Sequence, residues 1–200
     1  IGFCALYSSV TGAHNVGIGT YSLKSLSSGA GNVALGYNSQ CALSTGACNI
    51  AIGYQSQMSL TTGAQNIALG NEAMCAAVTG SHNFAAGNQS LKNVTTGTHN
   101  VAMGYQSSLS LTAGNHNVSI GYRSMYANVC GCENTAVGYH TLRQVTTGGL
   151  GNSGYGSHAM YNTSTGDDNV AFGRYSLYSN TTASQNTALG AYSMCTNSTG

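Results

Sequence analysis

The chain has 200 residues but only nine charged ones (Lys24, Lys92, Arg123, Arg143, Arg174, Glu72, Glu133, Asp167 and Asp168), which is 4% of the total and a net charge of +1. An ordinary soluble domain carries about 25%. There is neither a basic patch for nucleic acid nor an acidic tail, and no apolar run of about 18 residues for a membrane span. With 42% hydrophobic residues the chain can bury a core, so disorder is disfavoured and the scarcity of charge points to a regular, extensively paired chain or part of a larger assembly.

A repeat accounts for most of the composition. Asparagine recurs every 17 residues at Asn15, Asn32, Asn49, Asn66, Asn83, Asn100, Asn117 and Asn134, then at Asn152, Asn169 and Asn186 after a one-residue slip. Numbering slots from this asparagine gives the consensus Asn-Val-Ala-Ile-Gly-Tyr-x-Ser-Leu-x-x-Leu-Thr-Thr-Gly-x-x. The array fills residues 1–200 as a single unit, with the extra residue assigned to 149–151 and a bulge expected there and in the irregular stretch Asn152–Gly156. Copies at both ends are incomplete, so the expectation is an excerpt of a longer array whose caps and targeting signals lie outside it.

Slots 2 to 4 alternate large, small, large between asparagine and glycine, which predicts a short β-strand in every copy. Slot 3 is only Gly, Ala or Ser, as at Gly17, Ala34 and Ser119. Slot 5 is always glycine and includes Gly19, Gly36, Gly53, Gly70, Gly87, Gly104, Gly121 and Gly138. Slot 15 is glycine in every copy but one, where Ala183 stands. Glycine at both corners implies either a positive φ or a close backbone approach. Slots 8 to 12 form a second, looser apolar segment, read as a second strand. Recurrent glycine and the lack of a 3.6-residue period argue against helices.

These slots describe an all-β parallel solenoid, or β-roll, of about twelve 17-residue coils, roughly 55 Å long by strand spacing. The asparagines are expected to hydrogen-bond along the rod as a ladder. All nine charges fall in slots 6, 7, 10, 16 and 17, which marks those slots as solvent-facing. A slot 3 that is always small and never charged implies a second backbone against that face, either the opposite wall of a thin coil or a neighbouring chain. Few apolar side chains are available per coil to offset its ordering entropy. That favours a neighbouring chain, and a homotrimer is the expectation.

The motif Thr-Gly-x-x-Asn-Val-Ala-Ile-Gly-Tyr is best displayed at Thr45–Tyr54 and Thr96–Tyr105. It resembles the head repeats of trimeric autotransporter adhesins and, more closely, the 17-residue arrays in fibres of phages and large DNA viruses. The resemblance spans essentially the whole chain. It implies a left-handed parallel β-roll, three chains side by side, and a role in host attachment or in projecting a receptor-binding tip at a virion or cell surface. The partners it implies are further copies of the chain and a host cell-surface glycan or receptor. Seven cysteines slightly favour assembly in a reducing cytosol.

Candidate chemistry is sparse. Cys4, Cys41, Cys48, Cys75, Cys130, Cys132 and Cys195 are odd in number and mostly out of register, and act either as small hydrophobes or in interchain disulfides. His82, His99 and His116 share slot 17 on consecutive coils, as a weak metal-binding or pH-sensing candidate or as residues of a permissive loop. Asp167-Asp168 alone do not make a calcium site. No nucleophile constellation, phosphate loop or carboxylate pair is evident, so neither an enzyme nor a cofactor is expected.

Two binding surfaces are suggested. Tyr37, Tyr54, Tyr105, Tyr122 and Tyr139 share slot 6 beside amides, as candidate glycan contacts or as a packing ladder. Paired threonines at Thr61-Thr62, Thr95-Thr96, Thr146-Thr147 and Thr181-Thr182 suggest an ice-binding array, interrupted by Ser44, Val78 and Val129; thermal hysteresis would test it. Sequons occur at Asn88, Asn93, Asn117, Asn162, Asn180 and Asn197.

Overall fold

The computed structural model describes residues 1–8, 11–144 and 149–196. Among them each repeat contributes one three-residue strand and there is no helix. The strands are β1 (Val16–Ile18), β2 (Val33–Leu35), β3 (Ile50–Ile52), β4 (Ile67–Leu69), β5 (Phe84–Ala86), β6 (Val101–Met103), β7 (Val118–Ile120), β8 (Thr135–Val137), β9 (Ser153–Tyr155), β10 (Val170–Phe172) and β11 (Thr187–Leu189). They pair in parallel and in sequence order in one 11-stranded sheet. Equal slots face each other, so Val33, Ala34 and Leu35 pair with Ile50, Ala51 and Ile52. The chain is a β-solenoid.

The strand's small middle residue faces inward. Ala34, Ala51, Ala68, Ala85, Ala102 and Ser119 are fully buried, whereas Ile18, Leu35, Ile52, Met103 and Ile120 in slot 4 lie on the outside. The backbone against slot 3 is therefore the opposite wall of the same thin coil. A Cβ added at Gly17 would meet Leu6 Cγ and Ser22 Oγ, both at 3.2 Å. The interior is completed by slots 9 and 12, with Leu23, Leu26, Leu43, Leu60, Leu91 and Leu111 fully buried. It is one residue thick, which is why slot 3 tolerates nothing larger than serine.

Slots 6 to 12 do not form a strand. Slots 7 and 9 are left-handed in coil after coil, as at Gln55 (φ 53°) and Gln57 (φ 50°) or Arg123 (φ 50°) and Met125 (φ 49°). This alternation curls the backbone instead of extending it. Local bonds such as Leu60 N–H to Gln57 O, at 3.2 Å, tighten the curl, while Gln57 N–H donates to Ala73 O of the next coil at 2.9 Å. The segment thus pairs between coils as a strand would, without extended geometry.

The two glycine corners have different causes. Gly53 has φ 135°, and a Cβ there would also sit against the backbone of Gly70. Gly63 has no positive φ; a Cβ would collide with the carbonyl oxygen of Gly80. Slot 5 disfavours side chains by conformation and space, slot 15 by space alone, with Ala183 the one exception.

The bulge expected at Asn152–Gly156 is absent from β9. Ser153, Gly154 and Tyr155 pair in register with Thr135, Ala136 and Val137 and with Val170, Ala171 and Phe172, with no bulge in β9. Asn134 Nδ2 donates to Gly149 O at 2.7 Å, which puts Gly149 in slot 15. Residues 149–151 are therefore in register with the neighbouring coils, and residues 145–148 lie outside the described residues.

Candidate functional site

The asparagine ladder runs the length of the rod. Asn66 shows the pattern: its N–H and its Nδ2 donate to Asn49 Oδ1 at 3.0 and 3.1 Å, and Nδ2 also donates to Gly80 O at 2.8 Å. The same arrangement recurs at Asn32, Asn49, Asn83, Asn100 and Asn117. Asn134 follows Asn117 in it, and Asn15 anchors the near end through Gly29 O at 2.8 Å. Each buried amide thereby satisfies a slot 15 carbonyl that glycine leaves accessible.

A second brace was not legible in the sequence. Slot 8 serines reach across the interior to the slot 3 carbonyl of the next coil: Ser39 Oγ to Ala51 O at 3.0 Å, Ser56 to Ala68 at 3.1 Å, Ser90 to Ala102 at 2.8 Å and Ser124 to Ala136 at 3.1 Å. The recurrence of serine beside buried leucine was its only signal.

The strand's outer face is apolar. Slots 2 and 4 place Val16, Ile18, Leu35, Ile52, Met103, Ile120, Val170, Phe172 and Leu189 at the surface. Eleven parallel strands at the usual spacing make a strip about 50 Å long. It carries no charge and is broken only by Thr135, Ser153 and Thr187 in slot 2 and by coils whose outer residues are half-buried, which is unusual for a chain that stands alone in water.

The tyrosine column of slot 6 is at the surface beside this strip, each ring 40 to 49% exposed. Tyr37 and Tyr54 stack at 5.5 Å, and Tyr105, Tyr122 and Tyr139 stack at 5.3 Å per step. Rings inside a stack cover one another's faces, so edges and hydroxyls are what they present outward. The column is interrupted between Tyr54 and Tyr105, where slot 6 holds Asn71 and Asn88. His82, His99 and His116 also stack, at 4.6 and 5.0 Å between centroids and nearly parallel. Face-to-face rings do not turn their nitrogens toward a common point, and among the described residues no group of three His, Cys, Asp or Glu side chains could hold a metal ion.

The slot 13 hydroxyls are committed to the backbone. Thr61, Thr95 and Thr112 donate to Val78 O, Thr112 O and Val129 O at 2.9 to 3.1 Å. Thr146-Thr147 lie outside the described residues. Among the sequons, Asn88 and Asn93 are exposed and Asn162 is half-buried. Asn117 and Asn180 are buried inside the rod, where no glycan fits. Asn197 is outside the described residues. No cysteine among the described residues is in a disulfide, and burial raises the thiol pKa of Cys41 and Cys75.

Charge is segregated by sign across the coil. All five cations occupy slots 6, 7 and 10, while Glu133, Asp167 and Asp168 occupy slots 16 and 17. The remaining acid, Glu72, is paired with Lys92 at 2.8 Å. Hydrogen bonds from Lys92 and Gln89 hold its carboxyl below the usual range. The sign of each charge, sorted by slot, would have revealed this edge in the sequence. So would His140, His158, Tyr161, Tyr175 and Tyr178, which join Tyr122 and Tyr139 in one aromatic cluster.

Comparison with protein-family models, curated proteins and solved structures finds no match.

Proposed function

We propose that this chain is a structural segment of a viral fibre or tail-fibre-like protein, a stiff spacer that assembles as a homotrimer and supports or mediates host attachment from a virion surface. The observation that carries the proposal is the uncharged, largely apolar strip of slots 2 and 4. A strip about 50 Å long and one strand wide reaches the size at which exposed apolar surface marks an association site. Its partners are other copies of the same strip, because a repeat presents apolar residues at nearly every level and the lack of charge removes any register penalty. The number three comes from the resemblance of the repeat to trimeric fibre and adhesin arrays. Sedimentation equilibrium tests this directly: a trimer is expected, and a stable monomer overturns it. Ile52→Lys with Ile120→Lys should dissociate the trimer while leaving the coil intact, since both side chains point outward.

The rival reading is a trimeric cell-surface adhesin whose tyrosine stripe binds glycan. Support for it is the break in the column, where the rings of Tyr54 and Tyr105 border Asn71 and Asn88 instead of another ring. Binding of the 200-residue chain to a glycan array, lost on Tyr54→Ala and Tyr105→Ala, would favour this reading. Ice binding is less favoured, because the slot 13 hydroxyls that such an array would present already donate to carbonyls of the next coil.

A further inference from the structure

The cationic edge is not uniform along the rod. Its N-terminal part holds Lys24 and the neutralised Lys92, while Arg123, Arg143 and Arg174 all lie in the C-terminal coils. Among the described residues none of these arginines has a carboxylate partner. Each is fixed over aromatic rings instead. Arg123 sits 5.4 Å from the Tyr122 centroid and 5.2 Å from that of Tyr126. Arg143 lies between Tyr126 and Tyr161 at 5.1 and 5.5 Å, and donates from Nη1 to the Tyr161 hydroxyl at 3.2 Å. Arg174 covers Tyr175 at 4.9 Å and Tyr192 at 5.9 Å. Stacking of this kind pre-orients a guanidinium without neutralising it.

Two aromatic columns lie side by side beneath the arginines. One runs through Tyr139, His140, His158 and Tyr175, the other through Tyr161 and Tyr178, and they touch at 5.4 Å between His158 and Tyr161 and at 5.2 Å between Tyr175 and Tyr178. Arg143 Nε and His140 Nε2 are buried among them without a hydrogen-bond partner. The result is a surface of hydroxyls, imidazoles and uncompensated guanidiniums.

We infer that this edge, from Arg123 to Arg174, binds an acidic polysaccharide lying along the rod. Three observations select that ligand. The described residues enclose no pocket, so the ligand is a surface-bound polymer rather than a small molecule. The three arginines recur one and then two coils apart, about 5 and 10 Å along the axis, which suits a chain with regularly spaced anionic groups. Three cations are too few for nucleic acid, which relies on many phosphate contacts. The tyrosine hydroxyls supply what a sugar chain also requires, partners for its own hydroxyls. Carboxylate and sulfate are both accepted by a guanidinium. The ligand class rests on the attachment role proposed above.

The test is retention of the 200-residue chain on immobilised sulfated galactan, polyuronate, neutral dextran and polyglutamate. Binding to at least one acidic polysaccharide is expected, weakening at least tenfold between about 50 and about 500 mM salt, with none to dextran. The two acidic columns distinguish sulfate from carboxylate. Arg123→Gln/Arg143→Gln/Arg174→Gln should lose at least tenfold in affinity, and Lys24→Gln/Lys92→Gln less than twofold. Equal loss in both variants, salt-independent binding, tighter binding to polyglutamate or dextran, or no binding at all overturns the inference. Salt dependence is read on the unaltered chain, so it stands even if the triple variant fails to fold. Sedimentation run in parallel separates the two proposals: a trimer that binds no acidic polysaccharide overturns the ligand alone, and a monomer that binds overturns the trimer alone.

Discussion

Asn49 and Asn32 share one oxygen: both the backbone N–H and the side-chain Nδ2 of Asn49 donate to Asn32 Oδ1, at 3.0 and 3.1 Å. Both residues are fully buried, so nothing in water replaces these bonds if one amide is removed. Asn66→Ala leaves the backbone N–H that donates to Asn49 Oδ1 but removes the Nδ2 donor to Asn49 Oδ1 and to Gly80 O, and takes from Asn83 N–H and Nδ2 their shared acceptor. The expected loss is about 3 kcal/mol, from several buried groups left unpaired. Asn71→Ala on the exposed corner should change stability by less than about 0.5 kcal/mol. Chemical denaturation of the two variants checks the contrast.

Glycine positions should separate by cause. Gly31 has φ 69°, but a Cβ there would come no closer than 3.6 Å to Cys48 Sγ. Gly31→Ala should cost about 1 kcal/mol, the left-handed penalty alone. Gly63→Ala, without a positive φ, should cost more than about 3 kcal/mol, because its methyl group meets a carbonyl that cannot move without unstacking the coil. The reverse order in thermal melts would show that the neighbouring coil yields cheaply to a methyl group at slot 15.

The C-terminal interior can be improved. Thr163 occupies a slot that is leucine in four earlier coils, is fully buried, and its Oγ1 has no partner. Thr163→Val keeps the shape and removes the orphan hydroxyl, and should stabilise by about 1 kcal/mol. A lowered melting temperature would contradict the assignment.

Acid should act through His140. Burial, with Arg143, His158 and Arg123 around it, pushes its imidazole from an ordinary 6.5 down to about 4. The folded state then holds His140 neutral where the unfolded state already binds a proton. Its contribution is complete above pH 6.5 and is lost progressively as pH falls toward 4. His158 is shifted the same way, by burial and then Arg174. Melting temperature against pH should show this decline, and His140→Gln should flatten it.

The strand positions were legible because slots 2 to 4 alternate in size and are bounded by asparagine and glycine; all eleven strands occupy those slots. The solvent-facing slots were legible because charge is confined to them. The second segment was misread as a strand because side-chain pattern says nothing about φ, and non-glycine residues such as Leu23 and Met74 adopt left-handed backbone there. Which wall covers slot 3 was likewise undecided by sequence, since burial against the coil's own far side and against another chain both demand small residues. The arginine edge shows in the sequence only when the sign of each charge is sorted by slot, and its rings, from slots 6, 7 and 10, meet only once the coil is closed.

The left-handed residues imply how such a rod forms. Most coils carry three of them outside glycine, as at Gln55, Gln57 and Gln65, and two where Gly31 or Gly151 fills the third place, each disfavoured by about 1 kcal/mol on its own. Their compensation is held by the neighbouring turn, through bonds such as Gln57 N–H to Ala73 O and Gln65 N–H to Ala47 O. A lone turn has no such support, so assembly resembles crystal growth: a costly seed, then addition of one layer at a time onto a finished end. Rod length is then limited by how many copies the gene encodes, and shortening the array from an end should cost stability in equal steps until the seed itself is lost.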